Sequence, residues 1–320
     1  MTLEKTYFRP RSIGEAVRLA AEYETDLRYL AGGTDVMVNK FQETDTSTCL
    51  IDLTGIEAMK QTQQKNDHLS IGALVCLDDL KKIPEISAEF PLLLEAVQAV
   101  ASPVIRKTAT LGGNLLCENR CAFFNQSEWW RQAAGFCLKC NGATCLATGG
   151  TLNCFSKFAS DTAIALVGMD ATITVLDKEA EYTVPLEEIY TGDGLDPRKL
   201  DKTALIRSIE LPIGRGFRSV FKKLRHRETL EFSSLTSVVT IDQIGQVKIV
   251  LGGVDPKPVV VIGTIADDKN ELIKKAIKKA RIVDNDVYSR LYRKEMIGVY
   301  LNKSFEELEQ ADFLSNKLAS

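Results

Sequence analysis

Six of the eight cysteines in this chain lie within 38 residues, between Cys117 and Cys154. Thiolates bind metals, and a loop can bring them to one point from almost any sequence spacing once the fold joins its ends. Zinc sites typically use two tight cysteine pairs. Cys137 with Cys140 is one such pair, and Cys117 with Cys121 is nearly another. The spacing therefore leaves both a four-cysteine zinc site and an iron–sulfur cluster open.

Aromatic residues accompany the cysteines and favour the cluster. An iron–sulfur cluster uses the same four thiolates but adds redox chemistry, with a potential set by charge, hydrogen bonds and exposure. Large apolar side chains could bury a cluster and exclude water, although each could equally belong to an ordinary core. The candidates are Phe123, Phe124, Trp129, Trp130 and Phe136. Disulfides are a further alternative, but they rarely persist in a reducing compartment.

Two glycine pairs form a second group of interest. One stands in residues 30–36 (LAGGTDV) after an expected strand, and the other in residues 108–115 (TATLGGNL) after a long helical stretch. Paired glycines allow positive φ and let backbone N–H groups approach an anion, and Thr34, Thr110 and Asn114 add side-chain donors. A pyrophosphate would suit both loops. Neither matches the dinucleotide fingerprint or a Walker loop, and either alone could be a plain tight turn.

The rest of the composition excludes several functions. There are only two histidines, His68 and His226, so a catalytic triad or a histidine-rich metal site has almost no residues to use. The net charge of -3 argues against a nucleic-acid partner. The start of the chain lacks signal-peptide features and no apolar run reaches the ~18 residues of a membrane span, which predicts a cytoplasmic protein. The chemistry is expected in bound cofactors.

Both helices and strands are expected to position these groups. A length of 320 residues predicts two or three domains, and Ser12 to Glu15 forms a capping box before the first helix. Residues 77–101 have helical spacing interrupted by Pro84 and Pro91. Three strands of an antiparallel meander follow residue 214, and helices continue from Asp267 to the end. Other strands are expected at RYLAGG, TCLIDLTGI, HLSIGALV, ATITVLD, YTVPLEEI and TALIRSIEL.

These motifs resemble a known family. The AGGTD loop, the TATLGGNL loop and the Ser160-Asp161 pair are similar to the FAD-binding medium subunits of molybdenum hydroxylases, the xanthine dehydrogenase and carbon monoxide dehydrogenase group. The resemblance covers essentially the whole length, but most members lack the segment from about Cys121 to Cys154. That insertion, with RCAFFNQSEWWR, GFCLKCNG and CFSKFASD, resembles the β subunits of 4-hydroxybenzoyl-CoA reductases, which carry a [4Fe-4S] cluster beside FAD.

The resemblance implies an α+β fold. A two-lobed, PCMH-like FAD-binding domain would be followed by a C-terminal three-stranded antiparallel sheet with helices. Residues 1–57 would form the first FAD-binding subdomain and residues 58–213 the second. The [4Fe-4S] insertion would occupy about 117–156 of the second subdomain, and residues 214–320 would form the C-terminal domain.

The resemblance also implies site residues. The FAD pyrophosphate would lie between the two glycine loops, with Asp161 holding ribose or ribityl hydroxyls and Lys223 near the flavin ring. The expected FAD-binding residues are Leu30, Ala31, Gly32, Gly33, Thr34, Asp35, Val36, Thr110, Gly112, Gly113, Asn114, Asp161 and Lys223. The expected cluster ligands are Cys121, Cys137, Cys145 and Cys154. Cys117 and Cys140 would be free thiols, and no residue is expected to be catalytic.

Finally, the resemblance implies an electron-transfer role in a complex. A ferredoxin-like donor would supply the outer cluster, and electrons would pass through FAD to a small subunit with two [2Fe-2S] clusters and a large molybdopterin subunit, in a dimer of heterotrimers. The reaction would be the dehydroxylation of 4-hydroxybenzoyl-CoA to benzoyl-CoA, a step of aromatic degradation. One alternative is an aldehyde or purine oxidoreductase, and another is a zinc-knotted structural subunit without redox function.

Overall fold

The computed structural model describes residues 6–24 and 26–319, with side chains described as far as Ala311. The strands are β1 Thr6–Phe8, β2 Leu27–Leu30, β3 Cys49–Asp52, β4 Thr62–Gln64, β5 His68–Gly72, β6 Thr172–Leu176, β7 Glu181–Pro185, β8 Leu205–Pro212, β9 Arg218–Leu224, β10 Leu235–Ile241, β11 Gln246–Gly252 and β12 Val259–Thr264. The helices are α1 Ile13–Glu22, α2 Val36–Phe41, α3 Pro84–Glu89, α4 Pro91–Ala99, α5 Pro103–Arg106, α6 Leu111–Leu115, α7 Glu128–Ala134, α8 Asp161–Gly168, α9 Lys269–Lys279 and α10 Arg290–Ala319.

The first sheet is small and parallel, in the order β1-β3-β2. Helix α1 begins as the capping box predicts, because the Ser12 hydroxyl accepts a hydrogen bond of 3.2 Å from the Glu15 backbone N–H. Strand β2 leads directly into the first glycine loop, and α2 follows that loop. The short parallel strand therefore delivers residues 30–36 to one edge of the sheet.

The second sheet is antiparallel, in the order β4-β5-β8-β6-β7. Strands β5 and β8 are neighbours in this sheet, with His68 opposite Pro212, although they are far apart in the sequence. The interrupted helical stretch is confirmed, since α3 begins at Pro84 and α4 at Pro91, where proline needs no hydrogen-bond partner for its nitrogen. Two short strands, β1 and β4, were not expected from the sequence.

The C-terminal sheet is antiparallel as expected, but it has four strands and not three, in the order β12-β11-β10-β9. The additional strand is β12, which follows Pro256 and Pro258 and, among the described strands, pairs with β11 alone. Proline is tolerated beside an edge strand because it lies outside the hydrogen-bonded ladder.

Helices pack on both faces of the C-terminal sheet. Helices α9 and α10 cover one face with a separate apolar core that includes Val239, Ile249 and Leu301, and residues 280–289 between them are not helical. Helix α8 packs on the other face so closely that a Cβ on Gly168 would lie 2.8 Å from Val238. Because α8 also contacts α4 and α6, it joins this sheet to the region of the second glycine loop.

The three sheets use residues 6–52, 62–212 and 218–264. The boundaries expected near residues 57 and 213 fall between these sheets, and their role as domain boundaries stays a prediction. In the described ranges, none of the helices combines the length and apolarity that crossing a bilayer requires.

Candidate functional site

A cavity of about 1050 Å³ lies where the two glycine loops meet. Twelve of the thirteen residues expected to bind FAD line it, from both loops, α8 and β9. Leu30, the last residue of β2, is not among the lining residues. The fold therefore brings together residues that are nearly 200 positions apart in the chain.

The first glycine loop needs its glycines for two different reasons. A Cβ on Gly32 would lie 1.9 Å from the carbonyl oxygen of Thr108, so the two loops can touch only without a side chain there. Gly33 has φ of +72°, which favours glycine. Within the described chain, no protein group accepts a hydrogen bond from the backbone N–H groups of residues 32–35. Such adjacent free donors form an anion-binding concavity.

The second glycine loop is held rigidly. The Thr110 hydroxyl caps α6 by accepting a hydrogen bond of 3.1 Å from the Gly113 N–H. The Asn114 Oδ1 accepts hydrogen bonds from Ser160 (2.9 Å) and Thr162 (2.6 Å). These bonds fix the amide and leave the Asn114 Nδ2 group without an acceptor among the described residues. This loop thus offers a positioned donor to the cavity.

Asp161 lies at the start of α8 and is 3% exposed. Its Oδ1 accepts hydrogen bonds from Ser233 (2.5 Å) and Thr236 (2.7 Å), and its Oδ2 accepts one of 2.6 Å from Lys223. Lys223 also donates to the Ala99 carbonyl oxygen, at 2.8 Å. The two expected FAD residues are therefore partners of each other. Their expected contacts with the ribityl or ribose hydroxyls and with the flavin ring stay predictions.

Several charged residues of the cavity were not expected from the sequence. Arg120 forms an ion pair with Asp35 and stacks over the Phe232 ring at 4.3 Å, and burial lowers its pKa to about 10. The Glu118 N–H donates to the other Asp35 oxygen at 2.9 Å. The available signal was the charged run Glu118-Asn119-Arg120 directly after the second glycine loop. Phe232 lies on a distant segment and had no such signal.

A second, small cavity contains the four cysteines expected to bind the cluster. Cys121, Cys137, Cys145 and Cys154 all line it, whereas Cys117 lines the large cavity and Cys140 lines neither. All six thiols are free. Within residues 6–24 and 26–319, no group of three or more His, Cys, Asp or Glu side chains could hold one metal ion.

The four thiols differ in electrostatic environment. A hydrogen bond from the Cys140 thiol lowers the pKa of Cys137 to about 6, whereas burial raises the pKa of Cys121 to about 11. Burial also raises the pKa of Cys154, although the hydroxyl and N–H of Ser156 oppose this effect. The Cys140 hydrogen bond thus favours the thiolate form of Cys137, whereas burial disfavours ionisation of Cys121 and Cys154.

The expected aromatic shield is only partly present. Phe123 and Phe124 line the cysteine cavity, but Trp129 is 75% exposed and Phe136 is 39% exposed. The physical reason is the orientation of α7, whose inner face is taken by Arg131. That side chain is 2% exposed and donates to the carbonyl oxygens of Gln126 (2.6 Å) and Gln42 (2.8 Å). Residues two positions apart lie on different helix faces, so Trp129 faces outward.

Comparison with known proteins agrees with this fold. Residues 2–214 match the family described as FAD binding domain in molybdopterin dehydrogenase. The aldehyde oxidoreductase FAD-binding subunit PaoB of Escherichia coli (strain K12) is 30% identical over 262 residues, which cover 79% of this chain and 82% of that subunit. The glyceraldehyde dehydrogenase medium chain of Sulfolobus acidocaldarius is 23% identical over 321 residues, covering 95% of this chain and 98% of that chain.

Solved structures show the same fold. A chain of the Cu,Mo-CO dehydrogenase in its cyanide-inactivated form superposes with a TM-score of 0.75 at 20% identity, covering 96% of this chain and 98% of that chain. A chain of quinoline 2-oxidoreductase from Pseudomonas putida 86 gives a TM-score of 0.74 at 17% identity, covering 97% and 98%. Together with the family match, these similarities mean that the chain belongs to the FAD-binding subunits of the molybdenum hydroxylase family.

Proposed function

We propose that this chain is an electron-transfer subunit that holds FAD in the large cavity and a [4Fe-4S] cluster in the cysteine cavity. The observation that carries the proposal is the position of the four cysteines. They come from a segment of 34 residues, yet they line one cavity whose wall adjoins the large one. When bound, FAD supplies one- and two-electron exchange and a four-iron cluster supplies one-electron exchange.

The large cavity fits the flavin cofactor through its donors. The free N–H groups of residues 32–35 and the Asn114 amide suit a pyrophosphate, which carries negative charge and many acceptor oxygens. Asp161, held by Ser233 and Thr236, suits sugar or ribityl hydroxyls. The role of this chain would be to bind and orient the cofactor and to keep water from it.

The cysteine cavity supplies the four thiols that a [4Fe-4S] cluster takes from a protein. We prefer a cluster to a structural zinc ion because aromatic side chains accompany these cysteines. The aromatic residues Phe123 and Phe124 would limit the access of water.

For the whole complex, we favour a 4-hydroxybenzoyl-CoA reductase. The support is the resemblance of the cysteine segment, including its NQSEWWR run. In this arrangement a ferredoxin-like donor supplies electrons, and the partners are a small subunit with two [2Fe-2S] clusters and a large molybdopterin subunit, as a dimer of heterotrimers. The 30% identity to PaoB favours a second candidate, the FAD-binding subunit of an aldehyde oxidoreductase.

Quantification of cofactors tests the two-site proposal. The chain purified without oxygen should contain four irons and one FAD. Cys145→Ser should lose the iron and keep the flavin, while the matched control Cys140→Ser should keep both, because Cys140 lies outside the cavity. A colourless chain with one zinc would contradict the proposal.

Turnover of the intact complex separates the two substrate candidates. The complex should oxidise a reduced viologen dye when 4-hydroxybenzoyl-CoA is added, with benzoyl-CoA as the product. Reduction of an acceptor dye by an aromatic or aliphatic aldehyde, without activity on the thioester, would favour the aldehyde oxidoreductase.

A further inference from the structure

The two cavities share a wall that consists of two residues. Cys121 and Lys139 are the residues that line both the large cavity and the cysteine cavity. Lys139 stands in a short 3-10 turn between Cys137 and Cys140 and its side chain is 9% exposed. A cation is thus held at the junction of the two sites, away from bulk water.

The Lys139 ammonium is positioned by two contacts. Its Nζ lies 2.6 Å from the Glu118 carboxylate and 4.8 Å from the centroid of the Phe124 ring. Glu118 also lines the large cavity, and its N–H donates to Asp35 in the first glycine loop. One ion pair therefore links the cysteine segment to the glycine loop.

The position of this ion pair has an electrostatic consequence. Each electron that enters either site adds negative charge in a region of low effective dielectric, where a fixed charge acts strongly. A cation at the junction stabilises the reduced form of both sites. An anion at the same junction has the opposite effect on both.

We propose that Lys139 is a shared tuning residue that raises the reduction potentials of the flavin and of the cluster together, and that Glu118 lowers both. This inference rests on the proposed function, since it needs FAD and the cluster in the two cavities. Because one ion pair acts on both sites, each of its charges shifts the two potentials in the same direction, which suits electron transfer between neighbouring sites.

Anaerobic redox titration of the intact complex tests the inference, with visible absorption following the flavin and electron paramagnetic resonance following the cluster. Lys139→Gln removes the charge and keeps a hydrogen-bond donor, so both midpoint potentials should fall. For the cluster, a tenfold change in the ratio of reduced to oxidised form at fixed potential corresponds to about 59 mV. Glu118→Gln should shift both potentials upward, and Lys139→Arg should leave both near the original values.

Lys178→Gln is the matched control, because it removes the same charge from a side chain that is 51% exposed and lines neither cavity. Both potentials should be unchanged in it. Potentials that stay constant in Lys139→Gln and Glu118→Gln, or a shift confined to one cofactor, would overturn the inference. If Lys139→Gln loses a cofactor, the two midpoint potentials of Glu118→Gln alone decide whether the inference holds. Absence of iron from the unaltered protein would instead overturn the proposed function.

Discussion

At the scale of single residues, Gly32 is the position where the two glycine loops depend on each other. Its absent side chain allows the Thr108 carbonyl to approach, and the atoms that a Cβ would meet all belong to the backbone of Thr108 and Ala109, which cannot rotate away as a flexible side chain could. We expect Gly32→Ala to separate the loops and to release FAD while the iron content stays constant. The measurement is flavin and iron per chain after gel filtration.

Gly14→Ala is the control for that substitution, because a Cβ at Gly14 would have no neighbour within 4 Å. Gly14 lies in α1, where alanine should stabilise the helix by up to about 1 kcal/mol. Full flavin occupancy in Gly32→Ala would mean that the loops do not hold the pyrophosphate between them.

Ser156 is a residue whose effect should be confined to one site. Its N–H lies 3.5 Å and its hydroxyl 3.4 Å from the Cys154 sulfur, and the side chain is 1% exposed. In the structure the Cys154 thiol donates to the Ser156 hydroxyl; as a ligand of the proposed cluster, Cys154 would carry no proton and the hydroxyl would donate to its sulfur. Hydrogen bonds to ligand sulfurs stabilise the more negative state of a cluster. Ser156→Ala should therefore lower the potential of the proposed cluster and leave that of the flavin unchanged, as measured by the same redox titration. Equal shifts at both cofactors would contradict this assignment.

At the scale of elements, helix α7 is attached to the rest of the chain through Arg131. The buried guanidinium bridges the carbonyl oxygens of Gln126 and Gln42, and so joins the cysteine segment to the end of α2. Arg131→Met should leave these acceptors unpaired and weaken the attachment by roughly 1–3 kcal/mol. We expect faster proteolysis within residues 121–154 and faster iron loss, with FAD retained.

The control is Arg18→Met on α1, where the arginine is 68% exposed and its ion pair with Glu22 contributes little. Proteolysis should cleave the Arg18→Met variant at the same rate as the unaltered protein. An unchanged cleavage rate in Arg131→Met would show that other contacts hold the segment.

Elements also show where sequence patterns fail. The long strands and the interrupted helical stretch follow from hydrophobic spacing and proline, so they were predicted. Strand β12 lies outside the three-stranded meander that the sequence predicts, although its run VVVIGT is rich in β-branched residues that favour a strand. The outward direction of Trp129 was missed because it depends on Arg131, which bonds to a residue 89 positions earlier.

At the scale of the whole molecule, a buried ion pair joins the C-terminal region to Lys157, just after the cysteine segment. Asp286 pairs with Lys157 and accepts a hydrogen bond of 2.7 Å from Ser234, and the carboxylate is 2% exposed. Burial raises the pKa of Asp286, but the Lys157 ammonium and the hydrogen bonds lower it more, so the net pKa is below its usual value of 3.8.

A lowered carboxyl pKa predicts acid sensitivity. At a pH between the folded and the unfolded pKa of Asp286, the unfolded chain binds more protons than the folded chain. The stabilisation from this carboxylate is therefore complete above the unfolded pKa of 3.8, and it is lost as the pH falls through the lower folded pKa. Asp286→Asn should destabilise the protein at neutral pH by about 3–5 kcal/mol, because it leaves a buried lysine unpaired. It should also flatten the fall in stability below pH 3.8. Urea unfolding across this range measures both effects. An equally steep acid transition in the variant would assign the sensitivity to other carboxylates.

Several local features of this protein follow from its sequence alone: the capped first helix, the glycine loops, the cysteine-rich insertion and the family that these motifs indicate. Each depends on neighbouring residues, whose spacing and backbone preferences can be read along the chain. Which distant residues meet depends instead on tertiary packing. The pairing of Asp161 with Lys223, the stacking of Arg120 on Phe232, and the place of Lys139 between two cavities all arise from packing between separate elements, whose relative positions no local pattern encodes.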